Sequence, residues 1–166
     1  MSSIFTDSEN ELLFAAKLIL SDGLRRLNDR QSLFPTSRGR VVNAECREAR
    51  DALASTLVAT YGALRHEVSA VALIDAQGRL INIEEMPQGH AAHCEIRPRL
   101  LAEMITRTGA VAVLIVHNHP SGSCSPSRAD IEVTTMLEGW LKVMDCALID
   151  HLVLTVDDWC NIKGEW

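Results

Sequence analysis

The sequence predicts an α/β fold, with helices flanking a central sheet. Three observations predict it. Apolar runs rich in β-branched residues stand at 68–75, 110–116 and 147–155, the length and composition of buried strands. Between them lie longer segments whose apolar residues recur at helical spacing. Most of these segments are bounded by Gly, Pro or Ser at positions that start or stop regular structure.

The elements follow in order. Ser8 to about Leu27 has an apolar stripe of Leu12, Leu13, Ala16, Ile19, Leu20 and Leu24. Ser8 can cap this helix, with Glu11 three residues on. It packs on the core or makes a dimer contact, core packing being the plainer reading. Asn28–Gly39 reads as a connector broken by Pro35, Ser37 and Gly39. Residues 1–40 are therefore set apart as an N-terminal helical segment and connector, and 41–166 as the main domain. A helix starts at Asn43 or Ala44 and runs through Thr60-Tyr61-Gly62, where the glycine is a natural stop. Strands Val68–Asp75 and Arg79–Glu85 form a hairpin around Gln77-Gly78. A loop over Met86–Glu95 carries Pro87, Gly89, His90 and His93, and a helix from Pro98 to about Thr108 precedes the second apolar run. A polar loop, Ser121–Ser127, leads to a helix carrying Ile131, Thr134, Met136, Leu137 and Trp140-Leu141. Either Ser125 caps it with Pro126 as first residue, or Ser127 caps it with Asp130 as the acid of a capping box. The run Ala147–Thr155 reads as another buried strand. The strands alone do not tell parallel from antiparallel order.

Composition bounds the function. A chain of 166 residues suits one domain with a small appendage, and 47% apolar residues suffice for a sizeable core. No apolar run is long enough to span a bilayer. Met1–Asp7 lacks the basic start and apolar core of a secretion signal, so the cytoplasm is the expected compartment. The cysteines at 46, 94, 124, 146 and 160 form no C-x-x-C pair. An odd, scattered set argues against a disulfide framework and for buried small apolar residues. Cys124 stands apart, because its place in the polar loop would also suit a spare thiolate or a redox-sensitive thiol; an ordinary loop residue is the plainer reading. The formal net charge is −6, unlike the basic face of most phosphate-backbone binders. Arg25, Arg26, Arg30, Arg38 and Arg40, with Arg97 and Arg99, form the weak local exception, and solvated surface accounts for them equally well.

The chemistry concentrates at the end of the second run. His117 and His119 stand two apart in an extended chain, so their rings share one face while Asn118 points away. Pro120 stops the strand. Asp130, in the first turn of the returning helix, can reach the same point. A single strand-end histidine is usually a hydrogen-bonded structural residue, and an acid in a first helical turn usually answers the helix dipole. Two imidazoles and a carboxylate together suit zinc with a fourth position left open, which is where water is activated.

The segments His117-Asn-His-Pro-Ser-Gly122 and Ser125-Pro-Ser-Arg-Ala-Asp130 resemble the RadC-type branch of the JAMM/MPN+ metalloprotease-like family, whose pattern is His-x-His-Pro, a spacer, Ser-x-x-Asp and an upstream glutamate. The similarity runs from about Val41 to Thr155. It implies an MPN/JAB-type α-β-α sandwich with a mixed central sheet, related in shape to the cytidine deaminases. It also implies zinc held by His117, His119 and Asp130, Ser127 helping to stabilise an oxyanion, and a glutamate that takes a proton from water and passes it to the leaving amine. Glu67, opening the strand Val68–Asp75, is the choice for that glutamate; Glu84 and Glu85 compete. The reaction implied is cleavage of a peptide or isopeptide bond in a peptide or protein substrate.

Alternatives stay open. The family name has an old association with DNA repair, so an accessory protein that keeps the metal fold is one rival. A non-catalytic interaction module with structural zinc is another; Cys124 is its obvious fourth ligand. A homo-oligomer is compatible with either. His93-Cys94-Glu95 matches the H-x-E of zinc deaminases, but the required Pro-Cys-x-x-Cys is missing. His90 and His93 can line a substrate groove, His66 merely flanks Glu67, and His151 reads as a satisfied structural imidazole.

Overall fold

The computed structural model describes residues 44–87 and 96–164, with side chains from Ala49 onward. The Ser8–Leu27 helix, the connector, Arg25, Arg26, Arg30, Arg38, Arg40, His90, His93 and Cys94 lie outside the described residues, as does the side chain of Cys46.

Helix α1 spans Ala44–Leu57 and continues as a π-helical turn over Val58–Gly62. Strands β1 (Ser69–Ile74) and β2 (Leu80–Glu85) form the hairpin. Its turn carries Gly78 at φ 74°, and the Asp75 carboxylate accepts from the Gln77 and Arg79 amides. Helix α2 (Pro98–Thr108) begins on a proline and closes on Gly109 at φ 70°. Strand β3 (Ala112–Asn118), helix α3 (Arg128–Val143) and strand β4 (Ala147–Leu154) follow, and a short strand β5 (Trp159–Asn161) ends the sheet.

The strand order is β2-β1-β3-β4-β5. Only β3 and β4 run parallel, joined by α3 as crossover; the other pairs are antiparallel. The chain is thus α/β with a mixed sheet, as expected. Side chains alternate along the strands and feed two cores. Ala70, Ala72, Ile74, Leu114 and Val116 pack with Leu53, Leu57 and Tyr61 of the α1 stretch. Val71, Leu73, Val113 and Ile115 pack with Leu101 and Ile105 of α2 and Leu137 and Leu141 of α3. The central strands are covered on both faces, which is why they read as unbroken apolar runs.

The α1 stretch stops at Gly62, as expected, though for a different reason. Gly62 ends the α1 stretch by close approach: a Cβ there would fall inside the backbone carbonyl of Thr155. The residue that follows, Ala63, keeps right-handed backbone at φ −86°. Beyond Thr155 the sequence predicts no further strand, yet the sheet has one. Strand β5 was missed because Trp159-Cys-Asn161 is three residues long and only partly buried, with neither an apolar run nor alternation to mark it.

Candidate metal centre

Strand β3 carries the first candidate ligand into the middle of the sheet. His117 lies opposite Ser69 of β1 and Val153 of β4, and its side chain is fully buried. His119, one residue past the strand, is held by its amide donating to the Leu154 carbonyl at 2.8 Å. Asn118, between them, turns to the other side as predicted. Its amide group donates to the carbonyls of Leu64 and His66 at 3.1 Å each and accepts from the Val68 amide at 2.7 Å. Asn118 therefore clamps the backbone on both sides of Glu67. An amide inside an apolar strand is the sequence signal of such an internal bonding duty.

The third candidate ligand comes from the start of α3. Ser127 is the N-cap, so the second of the two frames read from the sequence holds. The Ser127 hydroxyl accepts from the Asp130 amide at 3.2 Å, and Asp130 Oδ2 accepts from the Ser127 amide at 2.7 Å. This reciprocal cap stations the carboxylate beside both imidazoles. His117 Nε2 is 3.4 Å from Asp130 Oδ1, His119 Nε2 is 3.5 Å from Oδ2, and the two Nε2 atoms are 3.0 Å apart. Burial alone would raise the Asp130 carboxyl, but the adjacent His117 ring and hydrogen bonding with Ser127 outweigh it and hold the group well below the usual carboxylate range.

The donor set fits a metal ion. His119 Nδ1 is 2.8 Å from the Ser123 carbonyl oxygen. A carbonyl only accepts, so the ring proton sits on Nδ1 and the neutral ring presents Nε2 as a lone pair. Ligand atoms about 2.0–2.1 Å from a tetrahedral ion lie about 3.3 Å from one another, close to the three separations found here. Among the described residues, His117, His119 and Asp130 are the group of metal-binding side chains so assembled.

One side of this group opens on a cavity of about 430 Å³, lined by Glu67, His119, Ser121, Ser127 and Asp130 among others. Glu67 and Ser127, both named from the sequence, thus share a cavity with two of the ligands. The competing glutamates are engaged elsewhere. Glu84 is paired with Arg107 of α2 at 2.6 Å. Glu85 is hydrogen-bonded to Tyr61 on the α1 side of the sheet, where burial, together with that carboxylate, raises the phenol above its ordinary value.

Cys124 contradicts the expectation drawn from cysteine spacing. It forms a disulfide with Cys160, their Cα atoms 5.6 Å apart and 36 residues apart in sequence. The pairing is tertiary: β5 lies against the end of β4, to which His119 also ties the ligand loop. In this state Cys124 is neither a spare thiolate nor a fourth ligand. Cys146 is free and buried, as expected.

His151 of β4 is fully buried and touches the ligand set directly. Its Nε2 is 2.8 Å from His117 Nδ1, and its Nδ1 is 2.7 Å from Thr134 Oγ1. It is the satisfied buried imidazole expected from its place beside Asp150 in an apolar run, and its partners include a residue of the candidate metal site.

Known proteins resemble this chain along most of its described length. The family model of the RadC-like JAB domain matches residues 47–165. A UPF0758 protein of Idiomarina loihiensis is 41% identical over 98 residues, 57% of this chain and 44% of that protein. A UPF0758 protein of Vibrio cholerae is 34% identical over 126 residues, 76% of this chain and 79% of its own length. A UPF0758 protein of Psychromonas ingrahamii is 29% identical over 159 residues, 93% of this chain and 68% of that one. The match thus spans less than half of the Idiomarina protein and over two thirds of the other two.

Proposed function

This chain belongs to the RadC-like JAB domain family, and on that premise we propose that it is a zinc-dependent hydrolase that cleaves a peptide or isopeptide amide bond. The observation that carries the reading is the three-sided donor set of His117, His119 and Asp130, open to a cavity that Glu67 also lines. Zinc in such a three-ligand site supplies a Lewis acid that polarises a carbonyl and lowers the pKa of water.

The protein's own groups do the rest. His117, His119 and Asp130 hold the ion. Glu67, on the backbone clamped by Asn118, takes a proton from the attacking water and delivers it to the departing amine, as general base and then general acid. Ser127 uses its hydroxyl oxygen as acceptor in the helix cap, so the hydroxyl hydrogen donates to the oxyanion that develops on the carbonyl. A closed structural zinc site would require a fourth protein ligand, and the loop cysteine that could have served is tied to Cys160.

Glu67→Gln tests the reading. With fluorogenic peptide and isopeptide substrates, zinc content should stay at the wild-type level while hydrolysis falls by roughly 10²–10⁴-fold. His117→Ala should lose the metal itself. Undiminished turnover in Glu67→Gln, or wild-type protein that takes up no zinc, would overturn the proposal.

A further inference from the structure

We propose that His151 is a positioning residue of the metal site, and that its ring, oriented by Thr134, keeps a proton on His117 Nδ1 and so leaves His117 Nε2 as the lone pair that meets the ion. The inference rests on the metal reading above and concerns how the chain's own protons are arranged before any ion arrives.

The hydrogens available along one chain of contacts fix the arrangement. Thr134 Oγ1 lies 2.5 Å from the backbone carbonyl oxygen of Asp130 and 2.7 Å from His151 Nδ1. A hydroxyl has one hydrogen, and a carbonyl can only accept. The contact with Asp130 therefore takes the Thr134 hydrogen, and the contact with His151 requires a proton on His151 Nδ1. The His151 ring has no exposed surface, and a second ring proton would put a charge where water cannot solvate it. With one proton on Nδ1, His151 Nε2 is an acceptor. The His117 Nδ1 contact at 2.8 Å is then a donation from His117 to His151, and His117 Nε2 carries no hydrogen.

The relay runs through three elements. It starts at the backbone of the ligand Asp130 on α3, passes through Thr134 one turn along, crosses to His151 on β4 and ends on the ligand His117 of β3. It also mirrors the second imidazole ligand, whose Nδ1 proton is committed to the Ser123 carbonyl. Histidine ligands commonly give that proton to a carboxylate, a carbonyl or water, and removal of such a partner weakens metal binding about 10–100-fold. Here a neutral imidazole receives it, and the imidazole is itself held in one tautomer by a threonine.

The test uses the full chain, first without metal. Long-range ¹H–¹⁵N spectra of the histidine rings should show His117 protonated on Nδ1 in the wild type. Thr134→Val removes the acceptor of the His151 Nδ1 proton. His151 can then donate from Nε2, and His117 should shift towards the Nε2-protonated form. Zinc affinity, read by competition with a chromogenic chelator, should drop about 10–100-fold, and Thr134→Ser should restore both readouts. A wild-type spectrum with the His117 proton on Nε2 overturns the proposal, as does a Thr134→Val protein with unchanged tautomer and unchanged zinc affinity. Absence of zinc uptake by the wild type would refute the metal reading instead, and the metal-free spectrum would still decide the relay.

Discussion

His117 and His119 differ in exposure but share one device: each ring nitrogen that faces away from the ligand cluster meets a partner, His151 or the Ser123 carbonyl. What the residue types announced was the donor set, because two imidazoles and a carboxylate at this spacing have little else in common. What they did not announce was the support given by Asn118, Thr134 and His151, whose partners, the Asp130 carbonyl apart, are 17 to 54 residues distant. Burial, assisted by His117 and opposed by Asp130, pushes the His151 imidazole down to about 3. Its sign with pH follows directly. The unfolded chain protonates this residue near its ordinary value of about 6.5, whereas the folded chain resists until about 3, so protons favour unfolding between those values. Thermal melts of metal-free protein should show stability falling as pH drops below about 6.5. His151→Gln, with no proton to take up, should flatten part of that slope; an identical slope would exclude His151 as its source.

At the scale of elements, the strands and helices that build the core were readable because burial on both faces writes an unambiguous apolar pattern. Boundaries were less so. Strand β3 extends through Asn118, since its ladder with β4 includes His117 opposite Val153 and Asn118 opposite Leu154. The short strand β5 has no pattern of its own and is defined only by its pairing with β4. The end of the α1 stretch is a contact effect. Gly62 has backbone any residue can adopt, yet the Thr155 carbonyl occupies the place of its side chain. Gly62→Ala should therefore destabilise the protein by roughly 1–3 kcal/mol through forced displacement of backbone. Urea unfolding measures this, and a midpoint equal to wild type would mean that the junction between the α1 stretch and the end of β4 yields freely.

The whole molecule joins the α1 layer, the sheet and the α2/α3 layer around a site at the C-terminal end of β3, with α3 returning from the ligand loop to β4. The disulfide adds a covalent link across this arrangement, from the ligand loop to the last strand. Closing a loop of this length restricts the unfolded chain and is worth roughly 2–4 kcal/mol. Unfolding in the presence of dithiothreitol should show that loss, while a Cys124→Ser variant should be as weak as the reduced protein and insensitive to reductant. A wild-type protein indifferent to reductant would exclude a stabilising role for the link. Among the described residues no helix is long and apolar enough to cross a membrane.

The amino-acid sequence by itself determined the α/β class, most of the core elements, the three side chains that could hold a metal ion and the family, because each of these is carried by local periodicity or by a contiguous motif. Tertiary structure decided which glutamate shares a cavity with the ligands, which cysteines pair, and which buried polar groups orient the imidazoles. Those are questions of distance between segments far apart in the chain, and sequence spacing has no term for such distances until the sheet order β2-β1-β3-β4-β5 brings them together.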